Sequence, residues 1–239
     1  MRIDKFITEC GVASRKEAAI AAKRGQITVD GVAVKDASRH IDPEKQSVTF
    51  MGRELVWRRF TYVMLNKPEG YVSSTDDKVN PFVTELLPTE LQKLDLFPVG
   101  RLDKDTVGLM ILTNNGPLAH ALLSPKHHVE KIYYFEAAEP LVAGAEEEFL
   151  DGVTLGDGYE CKPSVLKLSP DRMSGEITLT EGKYHQIKRM IASTGNKVTY
   201  LKRIKFADIP LDQSLNKSEW RFLTDVEISS LEGHTKTKQ

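Results

Sequence analysis

A carboxylate held in a glycine-flanked loop between apolar runs is a place where catalysis can sit. The stretch FPVGRLDKDTVGLMILTNNG, residues 97–116, has that form. Asp103 follows Arg101 and Leu102, Asp105 comes two positions later, and LMILT continues as an apolar strand. Hydrolysis of a glycosidic bond needs two carboxylates, one to protonate the leaving group and one to activate water or attack the sugar. Asp105 is the nearest second carboxylate, but it is read as a surface or turn residue on the face opposite Asp103, which leaves Asp103 to act alone. An aspartate near glycine also caps turns by bonding local backbone. From these residues by themselves, both readings stand.

Other chemistries lack their residues. No GxGxxG follows a strand and no GxxxxGK[ST] occurs, so the backbone cradles for dinucleotides and P-loop phosphates are missing. His120, His127, His128 and His185 stand without an HExxH or an acidic cluster, so no metal site is expected. His127 and His128 are assigned to a loop, and His185 to the opening of a helix. Serine-nucleophile motifs are absent as well. Cys10 and Cys161 lie far apart with no CxxC partner and are expected to be two reduced thiols.

With 239 residues and 40% hydrophobic content, the chain suffices for one large or two modest domains. No apolar run approaches the roughly 20 residues that span a bilayer. The stretch MRIDKFITECGVASRKEA is broken by charge where a signal peptide would be apolar, so a cytoplasmic protein with no membrane partner is expected. The net charge of −1 conceals an uneven distribution. Residues 1–59 carry 12 Lys/Arg against 8 Asp/Glu, a net +4, and the remainder carries 21 against 26, a net −5. Inside that acidic remainder, residues 183–205 hold seven Lys/Arg and no acid. Two separated basic regions suit a polyanion held at two places, since each cation near a phosphate releases counterions. Two solvated surfaces would have the same composition.

The elements that must position these groups fall into two sets. RIDKFITECG and SRKEAAIAAKRG read as two short helices, the second N-capped by Ser14 with Glu17 three residues on and ended by Gly25. QITVDGVAV is strand, Asp-Gly turn, strand. Ile3, Phe6, Ile7, Ala18, Ala22, Ile27 and Val29 form a small shared core, which leaves Arg2, Lys5, Arg15, Lys16, Lys23 and Arg24 for a partner. MGRELVWRR, residues 51–59, reads as the end of this unit and a linker. The order Arg2-x-Asp4, Gly11, SRKEA, Gly25 and ITVDG resembles the S4 RNA-binding domain over about a quarter of the chain. The resemblance implies RNA contacts from Ser14, Arg15, Lys16 and Lys5. Paired short helices presenting cations at fixed spacing suit a folded RNA backbone, giving position with little sequence readout.

From residue 60 onward, FTYVMLNK, GLMILT, EKIYYFEAAE, GEITLT and KVTYLKRIKF read as strands. PFVTELL, GPLAHALLS, GAEEEFLDG and YHQIKRMIAST read as helices. The expected fold class is α+β. A small domain of two helices and a hairpin with its linker spans 1–59, a larger, mainly antiparallel sheet domain with flanking helices spans 60–232, and a polar tail, GHTKTKQ at 233–239, is expected to be disordered. The turn-rich segments of the larger domain carry charged and aromatic residues in the order MLNKPEGYVSSTDD, PVGRLDKDTVGL, SPKHHVEKIYYF and EGKYHQIKRMI. That order resembles the RsuA-type pseudouridine synthases, and with the S4 segment ahead the resemblance covers nearly the whole chain. GRLD with Thr106, Gly108 and Leu109 is its most specific motif.

The resemblance implies a bacterial isomerase that turns one rRNA uridine into pseudouridine, with Asp103 as the catalytic aspartate. The C1′–N1 bond breaks, the uracil turns over while still held, and C5 bonds to the sugar carbon. No atom is gained or lost, so no cofactor or metal is expected. The carboxylate attacks the sugar, attacks the base, or assists a glycal route; the residues do not choose among these. The base must first be flipped from its stack into a pocket. Arg101 is the candidate to fill the vacated space or grip a phosphate. Tyr133 matches the family's pocket tyrosine, which implies a catalytic residue whose ring stacks on uracil and whose hydroxyl helps remove the C5 proton, and Tyr134 is assigned to core on the opposite face. Lys188 matches the basic residue paired with the aspartate, where many relatives have arginine. Ile187 is expected to pack under the tyrosine, and Lys67 with Pro68 to shape the floor of the site, with structural support as open as substrate contact. MRIDKFI and MLNKPEGYVSSTDD look closest to the 16S rRNA branch, whose target is uridine 516, on free RNA or a partly assembled small-subunit particle; a monomer is expected. A 23S rRNA enzyme of the same family and a non-enzymatic S4-type assembly factor are the alternatives.

Overall fold

The computed structural model of the protein describes residues 1–235. The chain divides into two compact units: Met1–Thr61 together with Leu87–Leu96, and Tyr62–Leu86 together with the chain from Phe97 onward.

In the first unit, helices α1 (Ile3–Glu9) and α2 (Arg15–Lys23) lead into strands β1 (Ile27–Val29) and β2 (Val32–Ala33). Helix α2 starts on a complete capping box, in which the Glu17 amide donates to Ser14 Oγ at 3.3 Å and the Ser14 amide donates to Glu17 Oε2 at 2.8 Å. Asp30 and Gly31 both take positive φ, which matches the two-residue turn that an Asp-Gly pair favours. The stretch read as the end of this unit and a linker contains strand β4 (Arg53–Leu55), which pairs with β3 (Val48–Phe50) through a Met51–Gly52 turn. Met51 has φ +50, a conformation its residue type does not announce. The strands run in the order β2-β1-β3-β4. Ile3, Phe6, Ile7, Ala18, Ala22, Ile27 and Val29 all lie in one buried cluster. The short helix α3 (Thr89–Gln92) joins this unit from far along the chain. Gly11 makes room for it: a Cβ there would lie 2.5 Å from the Glu90 carbonyl oxygen.

The second unit is built on a nine-stranded sheet, ordered β13-β5-β7-β11-β8-β10-β9, with β6 beside β7 and β12 beside β11. Its strands are β5 (Tyr62–Lys67), β6 (Phe97–Pro98), β7 (Val107–Thr113), β8 (Lys131–Ala137), β9 (Val165–Leu168), β10 (Ser174–Leu179), β11 (Val198–Phe206), β12 (Ile209–Pro210) and β13 (Trp220–Phe222). The pairings are antiparallel except β7 with β11. Strands β5 and β7 are buried at every position, which is why YVMLNK and VGLMILT are nearly continuous apolar runs. Helices α4 (Gly116–Leu123), α5 (Ala145–Asp151) and α6 (Gln186–Ser193) flank the sheet, α5 and α6 contributing to a core with Phe135, Leu166 and Ile177. PFVTELL forms only a 3-10 turn at Val83–Leu86.

The first residues of the stretch expected to be a tail are ordered. Helix α7 (Asp225–Gly233) carries its own capping box between Thr224 and Glu227, and His234 Nε2 lies 2.6 Å from Asp208 Oδ2. Residues 236–239, the rest of that tail, lie outside the described residues.

Candidate active site

Asp103 sits on the loop between β6 and β7, and the loop is held from beneath by a lysine. Lys67, the last residue of β5, is fully buried, and its Nζ donates to the carbonyls of Thr106 (2.7 Å), Asp103 (3.0 Å), Pro68 (3.2 Å) and Lys104 (3.3 Å). An ammonium has three protons, so these bonds are shared. Burial pushes the Lys67 ammonium down to about 8, against the pull of Asp105 and Asp103. With no surface exposed, Lys67 supports the loop, the structural one of the two roles its sequence position leaves open. Ser73 adds a second tie, its hydroxyl donating to the Leu102 carbonyl at 2.7 Å and accepting from the Leu102 amide at 2.9 Å. Lys67→Met is expected to cost about 2 kcal/mol of stability, by leaving buried carbonyls unpaired, and to lower kcat about tenfold by loosening Asp103. Thermal unfolding and initial rates read the two effects separately, and an unaltered kcat would disconnect Lys67 from catalysis.

Asp103 closes a turn with its backbone and leaves its carboxylate to face a lysine. Its carbonyl accepts from the Thr106 amide at 3.1 Å, closing a turn, while its side chain, 29% exposed, lies 3.1 Å from Lys188 Nζ on α6. Asp105 does not face away. Lys188 Nζ bonds Asp105 Oδ1 at 2.6 Å, so one ammonium bridges both carboxylates. Side chains two apart along an extended segment share a face, and the Asp103–Thr106 turn keeps both within reach of Lys188. Burial disfavours charge on Asp105, but the Lys188 bond overrides it and holds the carboxyl below its usual range. For Lys188, burial alone would lower the ammonium; the two carboxylates reverse this and raise it.

His185 is a neighbour the sequence reading passed over. Its Nε2 lies 3.6 Å from Asp103 Oδ1, and it caps α6 with left-handed backbone, φ 48 and ψ 35. Its place inside EGKYHQIKRM, three residues before Lys188, is the available signal.

Tyr133 on β8 is half-buried and packs against the cluster that contains Ile187. The register sets Tyr133 opposite Arg203 of β11, and Arg203 opposite Gly108 of β7. Two strand spacings of about 4.8 Å therefore separate Tyr133 from the exit of the Asp103 loop. Gly108, φ +96, allows this close approach, since a Cβ there would lie 2.4 Å from the Arg203 carbonyl oxygen. Ile187 is 4% exposed, so it supports the tyrosine from the core and does not touch RNA. Tyr134 is not core: it is half-buried, donates to Glu136 at 3.2 Å and meets Tyr200 edge-on. Arg203, counted in the basic stretch, is buried and donates Nε–H to the Leu109 carbonyl at 2.7 Å, so that stretch is not one surface.

Arg101 is exposed and, among the described residues, has no hydrogen-bond or ion-pair partner, unlike a structural ion-pair residue. In the first unit, Lys5, Ser14, Arg15 and Lys16 are exposed. The Ser14 hydroxyl is occupied by Glu17, and Lys5 Nζ lies 3.5 Å from Glu9. Arg15 and Lys16 remain free for a partner. No described helix is long and apolar enough to cross a membrane, and no cluster of three His, Cys, Asp or Glu among the described residues is arranged to hold a metal.

The sequence signature of the RNA pseudouridylate synthase family matches residues 61–193, and that of the S4 domain matches residues 1–46. The chain is 41% identical over 234 residues to the Bacillus subtilis protein named uncharacterized RNA pseudouridine synthase YtzG, covering 97% of this chain and 98% of that one. It is 40% identical to ribosomal small subunit pseudouridine synthase A of Escherichia coli, covering 97% of this chain and all of that one. A crystal structure of a pseudouridylate synthase superposes with a TM-score of 0.68 at 39% identity, over 97% of this chain and 99% of that chain.

Proposed function

Since the chain belongs to the RNA pseudouridylate synthase family, in its RsuA-type branch with an S4 domain, we propose that it isomerises a uridine of small-subunit 16S rRNA, uridine 516. The observation that carries the target is near-full-length identity to relatives named ribosomal small subunit pseudouridine synthase A. In this reading the first unit docks on folded rRNA through Arg15 and Lys16, and the second performs the isomerisation. The protein acts in the cytoplasm as a monomer on 16S rRNA, free or in a partly assembled particle.

Asp103 is the reacting carboxylate. Attack at C1′, attack on the uracil ring and removal of a ribose proton to form a glycal all draw on the same anion. Lys188 supplies positive charge at 3.1 Å, and the Lys67 bonds fix the loop before substrate arrives, so little reorganisation is needed at the reacting step. After C1′–N1 cleavage the uracil turns within the pocket, with the Tyr133 ring as its stacking surface. C5 then bonds C1′, and the proton lost from C5 is balanced by one gained at N1. Arg101 occupies the space left by the flipped nucleotide or grips its phosphate. A pure binding protein has no use for a lysine clamped beneath an aspartate that a second lysine faces, which disfavours the assembly-factor reading.

Pseudouridine mapping of rRNA from cells with and without this protein is the test. The expected result is loss of one modification in 16S rRNA on deletion, restored by the intact gene. Loss of a 23S site instead would transfer the target to the sister branch, and an unchanged map would remove rRNA as the substrate.

A further inference from the structure

One exposed aromatic pair stands beside the Asp103 cluster without a partner. Tyr184 is 75% exposed, and its ring stacks on His185 with centroids 3.8 Å apart and planes 19° from parallel. His185 Nε2 in turn lies 3.6 Å from Asp103. The stack therefore extends from the catalytic carboxylate into solvent.

Neither neighbouring cation covers it. Lys183 Nζ lies 4.7 Å from the Tyr159 ring centroid, and Arg189 is paired with Asp157 at 2.5 Å while its Nη1 reaches only the Tyr184 carbonyl. Among the described residues the Tyr184 hydroxyl has no hydrogen-bond partner. The platform is also held at a cost, because His185 adopts left-handed backbone that a side chain with a Cβ disfavours. Such strain persists where the surroundings demand it and gathers at functional sites. Large exposed rings are expensive to leave in water, and in RNA-binding proteins they are the surfaces on which unstacked bases lie.

We propose that the Tyr184–His185 stack receives the nucleobase adjacent to the target uridine. Flipping the uridine breaks its stacking with both neighbours, and one neighbour transfers to the open face of Tyr184. The platform thus lowers the cost of opening the RNA at the step that exposes the target to Asp103. Lys183 on the same segment, ion-paired to no carboxylate among the described residues, offers a cation to a flanking phosphate. The inference rests on the reading of 16S rRNA as substrate.

The test uses the full-length protein and a 16S rRNA transcript labelled with tritium at uracil C5, whose release reports turnover. Tyr184→Ala is expected to lower kcat/KM about tenfold or more, in line with loss of one base–aromatic stack, with the melting temperature unchanged. Tyr184→Phe, which restores the ring without the hydroxyl, is expected to recover most of the loss. In a second arm, an abasic nucleotide replaces each neighbour of the converted uridine in turn. At one of the two positions it should impair the wild type and leave Tyr184→Ala unaffected, since the stack is already gone. Equal impairment of both proteins at both positions, or a Tyr184→Ala rate matching the wild type, overturns the proposal. A wild type inactive on 16S but active on 23S transcripts overturns the substrate reading alone, and the same variants are then compared on 23S rRNA.

Discussion

Asp103→Asn is expected to reduce pseudouridine formation by at least about a thousandfold while changing RNA affinity less than about threefold. The amide has nearly the volume of the carboxylate, so the loop held by Lys67 and Ser73 keeps its bonds, which run to backbone carbonyls and amides and not to the Asp103 side chain. Lys188 also keeps a partner, because Asp105 lies closer to its Nζ, at 2.6 Å, than Asp103 does, at 3.1 Å. What the amide lacks is the anion that each route to C1′–N1 cleavage requires. Single-turnover tritium release and filter binding on the same transcript separate the two effects. Retained turnover would take Asp103 out of the chemistry, and a matching loss of affinity would make it a binding residue.

Much of the scaffold was legible because local rules and tertiary packing agree. The Ser14–Glu17 capping box, the Asp30–Gly31 turn and the apolar runs of β5 and β7 each signal one element, and each element forms. Thr224 and Glu227 carry the same capping signature ahead of α7, so that helix was legible although it was not read. Other features had no local signal. Met51 turns a hairpin in a conformation foreign to its residue type, and α3 joins the first unit only because Gly11 leaves space against Glu90.

At the candidate site, residue types single out side chains without reporting their surroundings. Arg203 and Lys67 look like surface cations in composition, yet both are buried against backbone carbonyls. Burial of a long basic side chain is decided by where unpaired carbonyls fall in the fold, which no sequence spacing reports. Asp105 is different: its two-residue spacing from Asp103 already puts both on one face of an extended segment, and only its partner is hidden from the sequence. The partner that gathers it, Lys188, lies 83 positions away, on a helix whose approach is fixed by packing.

That shared lysine makes the second large prediction. Lys188→Met removes the ammonium that lies 3.1 Å from Asp103 and 2.6 Å from Asp105. Lys188 holds the Asp105 carboxyl below its usual range, so without it Asp105 takes up a proton at higher pH than in the wild type. That proton changes the charge beside Asp103, so the acid limb of the kcat profile should move to higher pH, and loss of the orienting ammonium should lower kcat at neutral pH about a hundredfold. Lys188→Arg keeps the charge and should leave the limb near its original position, with kcat reduced by altered geometry. Adding Asp105→Asn to Lys188→Met removes that titrating carboxyl without restoring the cation, so the limb should return toward acid while kcat recovers only in part. The two contributions of Lys188, balancing charge and orienting Asp103, are thereby measured apart. A limb that stays fixed in Lys188→Met would mean that the ammonium does not set the charge beside the reacting carboxylate, and the 3.1 Å contact would then be one of packing alone.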